Sequence, residues 1–251
     1  MFFSKLLPEV FALGENFKKY FQIVPALSND LRDQVFHIRH QVYCEELAFE
    51  PQRPDRRESD EYDRHSLHLL IRSVQTGEFV GCTRMVMARP EDPLYPLPFE
   101  RTCQDAIDRS IIDPTKLPRE SIAEVSRLAV ISRFRNRKGE QKRPVAISDT
   151  DFGTTKHPRF PYIPVGLYLG TVEIARLHGI NTLFVLTEQR LASHFRKLGV
   201  RIQTIGTPVE HRGARIPSMM STTGIITNLR AIFRPLYRVI AAEVAGRQLP
   251  R

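Results

Sequence analysis

The stretch that decides the fold is Glu124-Val125-Ser126-Arg127-Leu128-Ala129-Val130-Ile131-Ser132. It is an apolar run with β-branched residues that carries one acid and one arginine. It leads directly into the cations Arg133, Arg135, Arg137 and Lys138, followed by Gly139. Such a run predicts a core strand over about residues 122–132, and the cations at its end predict an anion-binding turn. We therefore expect this strand to carry a ligand site.

The composition is that of a globular protein. The chain has 251 residues, of which 41% are hydrophobic, enough for a sizeable core. Its formal net charge of +9 favours an anionic partner, which includes phosphate groups, acidic proteins, nucleic acid and anionic membrane surfaces. Charge alone does not choose among these partners.

The cysteine spacing and the N-terminal segment indicate the cellular compartment. Cys44, Cys82 and Cys103 form no C-x-x-C pair, so the sequence predicts neither a disulfide framework nor a zinc site. Pro8 and Glu9 interrupt the N-terminal apolar residues, and no run of about 18 apolar residues occurs anywhere. We expect a cytoplasmic protein with no metal and no tightly bound cofactor.

Before the strand predicted over 122–132, which we call the opening strand, hydrophobic periodicity divides the chain into alternating elements. It predicts a strand over 20–27, a helix from Asn29-Asp30 to about Glu46, a charged loop over 51–65, a hairpin of strands 67–74 and 79–88, and a short helix over 99–107.

The same alternation continues after the opening strand. The sequence predicts a basic, proline-bearing insertion over 133–163, a helix from Pro164 that stops at Gly179, a strand over 182–188, a helix over 191–198 and a strand over 200–205. This order favours a single α/β (α+β) domain over residues 1–210, with helices covering a mixed sheet.

The remaining residues, 211–251, form a basic tail. Apolar residues at 225, 229, 232, 236, 240 and 244, with Arg230, Arg234 and Arg238 along one stripe, predict an amphipathic helix over 225–244 that Pro235 would kink. Such a helix either packs on the sheet with its arginines in solvent, or makes peripheral contact with a membrane or an acidic partner.

A sparse pattern of residues spread over nearly ninety positions carries a family resemblance. It comprises Arg39-x-x-x-Tyr43-x-x-x-x-x-Phe49, Asp60-Glu61-Tyr62-Asp63, Gly81-Cys82-Thr83-Arg84 and Glu124-Val125-Ser126-Arg127. In this order and spacing it resembles the acyl-homoserine lactone synthases of the GNAT superfamily. It resembles still more closely the long-chain N-acyl amino acid synthases and the exosortase-associated acyltransferases.

This resemblance covers roughly residues 20–210. It implies a GNAT-type, mixed and mostly antiparallel central sheet flanked by helices. It also implies transfer of a fatty acyl group from a thioester, on acyl carrier protein or coenzyme A, to a primary amine. Separately, Ala192–Val200 resembles the GNAT helix-turn signature, but Phe195 stands where that signature often has a tyrosine, so it cannot protonate the leaving thiolate.

The resemblance assigns the amine end of the reaction to the opening strand. Glu124 and Arg127 are the catalytic candidates, because an ammonium group must lose a proton before it attacks a thioester and a carboxylate can accept that proton. The structural alternative for Glu124 is a buried ion pair with Arg127 or Arg84.

Six further residues are candidates for substrate binding. Arg39 or Arg84 could hold a substrate carboxylate with its planar fork. Asp60 and Asp63 could bind the substrate ammonium, or could instead organise their loop through those two arginines. Phe49 and Ser126 complete the set.

The donor end follows along the same strand. GNAT proteins place backbone amides and cations around the phosphate of pantetheine at this point, which implies a donor site formed by Leu128, Val130, Arg133, Arg135, Arg137, Lys138 and Gly139. A cationic loop that merely faces solvent is the alternative. Because the loop has only one glycine, it lacks the fuller motif of coenzyme A users, which mildly favours a carrier-protein donor.

The leading hypothesis is therefore an N-acyltransferase that uses an acyl-phosphopantetheine donor, with acyl carrier protein and a small-molecule amine as partners. The alternatives are an acyl-homoserine lactone synthase that uses S-adenosylmethionine and an acetyl-coenzyme A-dependent N-acetyltransferase. A basic nucleic-acid-binding protein is the non-enzymatic alternative. The sequence contains no recognisable nucleic-acid motif, so we expect no nucleic-acid partner.

Overall fold

The computed structural model describes residues 6–135 and 160–247. Its strands are β1 (Phe21–Pro25), β2 (Ser66–Ser73), β3 (Phe79–Met87), β4 (Ile122–Val130), β5 (Thr182–Thr187), β6 (Gln203–Thr204), β7 (Val209–Glu210) and β8 (Ala214–Ser221). Its α-helices are α1 (Leu6–Tyr20), α2 (Asn29–Arg39), α3 (Pro98–Thr102), α4 (Tyr162–Leu177), α5 (Gln189–Lys197), α6 (Thr222–Asn228) and α7 (Arg234–Ala245).

One sheet of eight strands organises the described residues. Its order is β1-β2-β3-β4-β5-β8-β6, with β7 paired to β8. Neighbouring strands are antiparallel except β4 and β5, which run parallel. These two strands pair only from Ile122 to Val125 on β4, although β4 continues to Val130. The predicted fold, a mixed and mostly antiparallel sheet flanked by helices, is confirmed.

Helices cover both faces of the sheet. On β3, the Cys82 thiol donates to the Val35 carbonyl of α2 at 4.0 Å. A Cβ on the preceding Gly81 would lie 3.3 Å from Leu167 of α4. Because successive strand residues point to opposite faces, α2 and α4 lie on opposite sides of the sheet. α1 and α7 contact each other, and α7 also contacts α4, so these helices complete the α4 side.

Local signals in the sequence account for several element boundaries. The Ser28 side chain accepts a hydrogen bond from the Leu31 N–H and caps α2. The helix predicted to end near Glu46 does so, but its last seven residues, His40–Glu46, form a π-helix. Gly179 follows α4 with φ of +70°, a conformation that glycine adopts without strain, so it ends the helix as predicted.

The boundary predicted at residue 210 requires correction. β8 lies within the sheet between β5 and β6, so the sheet extends beyond that boundary. Pro217 lies in this strand opposite Leu186 of β5, and a proline in a central strand is a signal against strand structure. The closing strand expected over 200–205 contracts to the two residues of β6.

The basic tail also differs from the expected single helix. It forms α6, a 3₁₀ turn at Ala231–Phe233, and then α7, with Pro235 in the first turn of α7. Its apolar side chains are buried in the main core, namely Ile225, Leu229, Leu236, Ile240 and Val244, whereas Arg230, Arg234 and Arg238 are exposed. The tail therefore packs on the domain, and its apolar face is not free for membrane contact.

No helix within residues 6–135 and 160–247 has both the length and the hydropathy needed to cross a bilayer.

Candidate active site

A cavity of about 280 Å³ opens where β4 and β5 diverge. β4 contributes Val125, Ser126 and Leu128 to its wall, and β5 contributes Val185. The stacked rings of Tyr168 and Phe195, with centroids 4.3 Å apart, form another part of the wall. The cavity is thus a cleft between two parallel strands, at the point where β4 and β5 are no longer paired with each other.

Beside this cavity, on the α2 side of the sheet, lies a network that we call the arginine–carboxylate cluster. Its members are Arg39 of α2, Arg84 of β3, Arg127 of β4, and Glu58, Asp60 and Asp63 of the charged loop. Arg39 and Arg84 are fully buried.

Each arginine in the cluster binds at least two carboxylates. Arg39 donates from Nε to Glu58 at 2.5 Å and from Nη1 to Asp63 at 2.6 Å. Arg84 donates from Nη1 to Asp60 at 2.6 Å and to Asp63 at 2.9 Å. The cluster therefore fixes the charged loop onto the sheet.

Arg127 joins the cluster through a strand irregularity. The pairing of β3 with β4 shifts register between Cys82 and Arg84, and Arg127 has φ of +54°. In a regular strand Arg127 would point away from the face that Ser126 shares with Arg84. The bulge instead brings its Nη2 to 3.2 Å from Glu58 and 3.3 Å from Asp60.

The cluster keeps the carboxylates of Glu58 and Asp63 ionised. Burial alone would raise the pKa of Glu58, but Arg39 and Arg127 outweigh it and lower that pKa to about 2. For Asp63, Arg39 and Arg84 likewise overcome burial and hold the pKa well below its ordinary value. These are structural ion pairs that need no ligand to complete them.

The cluster changes the predicted roles of two residues. Among the described residues, Asp60 and Arg84 belong to the cavity wall, but Arg39 and Asp63 do not. Arg39 is 0% exposed and already engaged by two acids, so it does not reach a substrate carboxylate. The alternative in which Asp60 and Asp63 organise their loop through Arg39 and Arg84 matches the observed contacts.

Glu124 occupies the cavity wall without an arginine partner. Its Oε2 accepts a hydrogen bond from the Phe99 N–H at 2.6 Å, and the residue is 3% exposed. Within the described residues no cation lies close enough to form an ion pair with it, because Arg84 and Arg127 are bound by the loop acids. Burial raises the pKa of Glu124 to about 7. The carboxyl group is therefore poised to exchange a proton near neutral pH.

Two further residues predicted to contact substrate, Phe49 and Ser126, lie in the cavity wall. The Ser126 hydroxyl accepts a hydrogen bond from Arg84 Nε at 3.1 Å. Tyr43 lines the cavity as well and donates from its hydroxyl to the Leu128 carbonyl at 3.2 Å.

The predicted donor-binding residues divide into three groups. Leu128 lines the cavity, whereas Val130 is buried in the core, because it points into the packed face of the sheet. Arg133 forms an exposed ion pair with Glu78 at 2.7 Å, and buried Arg135 forms one with Glu46. Arg137, Lys138 and Gly139 lie outside the described residues.

Sequence reasoning missed several residues of the site. Glu58, which binds both Arg39 and Arg127, precedes Asp60 in the acidic run 58–63, so its position in the loop was a signal that could have found it. Arg212 and Arg215 also line the cavity, and they pair with Glu50 and Glu188 respectively. They follow β7, beyond the predicted domain boundary, and gave no sequence signal of their own.

Comparisons with known proteins agree with this architecture. Residues 38–143 match the family described as acetyltransferase (GNAT) domain. No curated protein matches the sequence. Among the solved structures that share the fold is TofI in a ternary complex with an inhibitor and MTA, with 19% identity, a TM-score of 0.57, and coverage of 86% of this chain and 96% of that chain. MesI, a CoA-dependent acyl-homoserine lactone synthase, has 20% identity, a TM-score of 0.57, and coverage of 86% of this chain and 94% of that chain. FeeM, an N-acyl amino acid synthase from uncultured soil microbes, has 10% identity, a TM-score of 0.52, and coverage of 83% of this chain and 94% of that chain.

At these identities the likeness is one of fold, and the family match covers less than half of the chain. Residues 38–143 match a GNAT acetyltransferase domain, and the sheet and helices around them have the fold of the solved structures above.

Proposed function

We propose that the protein transfers a medium or long acyl group from a phosphopantetheine thioester to the primary amine of an amino acid or a related metabolite. The observation that carries this proposal is the Glu124 carboxyl group, which is buried in the wall of the cleft between β4 and β5 and has a pKa of about 7. A base with this pKa accepts a proton from an ammonium group near neutral pH.

The proposed reaction proceeds from this proton transfer. Glu124 takes one proton from the substrate ammonium, and the freed amine attacks the thioester carbonyl. The carbon–sulfur bond then breaks, and the second proton lost by the nitrogen accompanies the departing thiolate. Phe195 cannot relay that proton, which leaves water or a cavity hydroxyl such as that of Tyr43 as the relay.

The cleft suits a pantetheine arm on the donor side. Beyond Val125 the edge of β4 is no longer paired with β5, so its backbone groups can hydrogen-bond to the amides of the arm. Ser126 and Leu128 lie on this edge, in the cavity wall. Arg133, whose ion pair with Glu78 is exposed, and the cations Arg137 and Lys138 of the sequence would attract the phosphate that follows.

Acyl carrier protein and coenzyme A are the two carriers of this arm. The formal charge of +9 suits an acidic carrier protein. MesI and BjaI, which share the fold, are CoA-dependent synthases, so acyl-coenzyme A is the second donor to test.

An acyl-homoserine lactone synthase is the second candidate. It is favoured by the higher TM-score to the acyl-homoserine lactone synthase MesI, 0.57, than to FeeM, 0.52. The two candidates differ in the acceptor: the lactone synthase would need S-adenosylmethionine and would release a lactone product.

Product analysis tests the proposal. Lipid extracts of cells that express the chain would be compared by mass spectrometry with extracts from Glu124→Gln cells and from Glu120→Gln cells, which carry the same change at an exposed position. An acylated amine made by the wild type and Glu120→Gln, but not by Glu124→Gln, is expected. Purified protein with acyl carrier protein or coenzyme A thioesters then identifies the donor. Identical extracts from all three strains would refute the proposal.

A further inference from the structure

Tyr62 carries a buried hydroxyl that the reaction described above does not use. The residue is 6% exposed, and within the described parts of the chain its hydroxyl has no hydrogen-bond partner. Buried hydroxyl groups are usually hydrogen-bonded, so an exception requires an explanation. Tyr62 lines the same cavity as Glu124, which makes the residue part of the candidate active site.

The ring of Tyr62 is held by its neighbours. The Tyr95 and His65 rings both lie with centroids 5.7 Å from it, and the Arg101 guanidinium lies 5.5 Å from its centre. Its backbone N–H donates to Asp60, which in turn binds Arg84 in the arginine–carboxylate cluster. The cluster thereby fixes the position of the phenol ring, and the hydroxyl takes no part in that fixation.

Tyr62 and Glu124 belong to the same end of the cavity. Tyr62 packs in a hydrophobic cluster, separate from the main core, that also contains Phe99, whose N–H donates to Glu124. Burial is the main reason that the pKa of Tyr62 is raised to about 12, and the nearby Glu124 contributes to the rise. The phenol therefore keeps its proton at neutral pH and remains an O–H donor in a residue of the same cavity wall as the candidate base.

We propose that Tyr62 determines acceptor specificity, by donating a hydrogen bond to an oxygen that the amine substrate carries close to its reacting nitrogen. This inference rests on the proposed function and narrows it. It selects oxygen-bearing amines, such as α-amino acids, over simple alkylamines. A site built to bond a substrate oxygen discriminates against an analogue that lacks it, because the buried donor is then left without a partner.

Tyr62→Phe tests this role because it keeps the ring and its contacts and removes only the hydroxyl. Steady-state acylation would be measured with one fixed acyl thioester and with paired acceptors: leucine against 3-methylbutylamine, and phenylalanine against 2-phenylethylamine. Each amine lacks only the carboxylate of its partner. We expect kcat/KM for the amino acids to fall roughly tenfold, through KM, while the values for the alkylamines stay unchanged.

Two further measurements distinguish a role of the Tyr62 hydroxyl in specificity from a role in stability. Removal of an unpartnered buried hydroxyl should leave the melting temperature unchanged or higher, whereas a structural hydroxyl would lower it. Tyr95→Phe, at a neighbouring ring outside the cavity wall, should leave the preference for amino acids over alkylamines as it is in the wild type.

The outcomes distinguish this inference from the proposed function. A wild-type protein that acylates no amine contradicts the proposed function and this inference together. An active wild type whose preference for amino acids survives in Tyr62→Phe contradicts this inference alone. A lower melting temperature with an equal loss of activity on both acceptor classes would also overturn it, since that result identifies a structural hydroxyl.

Discussion

Arg212, in the turn between β7 and β8, forms an ion pair with Glu50, which follows the π-helix at the end of α2. Glu50 also lies 3.7 Å from Arg127. Arg212 and Phe49, the neighbour of Glu50, both line the cavity. The pair thus connects the last hairpin of the sheet to the arginine–carboxylate cluster across the candidate active site.

This ion pair should contribute measurably to stability. Both side chains are partly buried, so we expect a coupling of about 1 kcal/mol in the double-mutant cycle of Arg212→Gln and Glu50→Gln. Chemical denaturation of the four proteins gives the value. The exposed pair Lys18–Glu15 of α1, treated in the same way, should show a much smaller coupling. Equal couplings for the two pairs would contradict this prediction.

Glu58 should be among the most important acids for folding. Glu58→Gln leaves Arg39 and Arg127 short of a buried counter-charge, and we expect it to cost about 3–5 kcal/mol in the free energy of unfolding. Glu61→Gln, in the same loop but in an exposed pair with Arg101, is the matched control and should unfold like the wild type. The prediction fails if the two variants are equally stable.

Glu124 should make stability depend on pH in an unusual direction. Its folded pKa of about 7 lies above the ordinary value of 4.5, so the folded state favours the protonated form. The resulting stabilisation is complete below about pH 4.5 and is lost as the pH rises through 7. Relative to Glu124→Gln, the wild type should lose about 3 kcal/mol over this window. The lowered pKa values of Glu58 and Asp63 are common to both proteins, so they cancel from the difference.

The same titration should govern the rate. Only the ionised Glu124 can accept a proton, so kcat/KM should rise with pH through about 7. A pH–rate profile of the wild type checks the midpoint, and Glu120→Gln should reproduce the wild-type profile. A wild-type rate that is flat from pH 5 to pH 8 would remove Glu124 from the role of base.

Gly199 should be far less tolerant of substitution than Gly179. Both have a positive φ, which costs alanine about 1–2 kcal/mol. A Cβ at Gly179 would meet nothing within 4 Å, but one at Gly199 would lie 2.3 Å from the Asn228 carbonyl oxygen. Gly199→Ala should therefore cost at least roughly 2 kcal/mol more than Gly179→Ala. Similar unfolding free energies for the two variants would contradict the close approach of the Asn228 carbonyl to Gly199.

The parts of the fold that depend on local sequence were predictable. The β2–β3 hairpin, β4 and α4 each show their own periodicity and punctuation, and Gly77 and Gly179 have the positive φ expected of a turn and a helix end. β8 was not predictable, because Pro217 argues against a strand and because only its pairing with β5 and β6 makes the segment extended. Strand pairing between distant segments is a tertiary property.

The candidate active site was likewise predictable only in part. The resemblance brought Glu124, Arg84 and Asp60 to attention, and all three lie in the cavity wall. It did not show which acid each arginine binds, because ion pairing depends on which charges meet in space. Arg39 was therefore expected to contact substrate, whereas Glu58, a residue outside the quoted motifs, engages it within the protein.

The arginine–carboxylate cluster sets three guanidinium groups against three carboxylates, so it adds nothing to the net charge of the protein. The whole formal charge of +9 therefore belongs to residues outside it. Dissolved salt screens exposed charges over about 8 Å at physiological ionic strength, but it weakens buried pairs much less. Ionic strength should thus change how fast an anionic partner is captured while leaving the catalytic geometry intact, so that attraction and architecture respond to separate sets of charges.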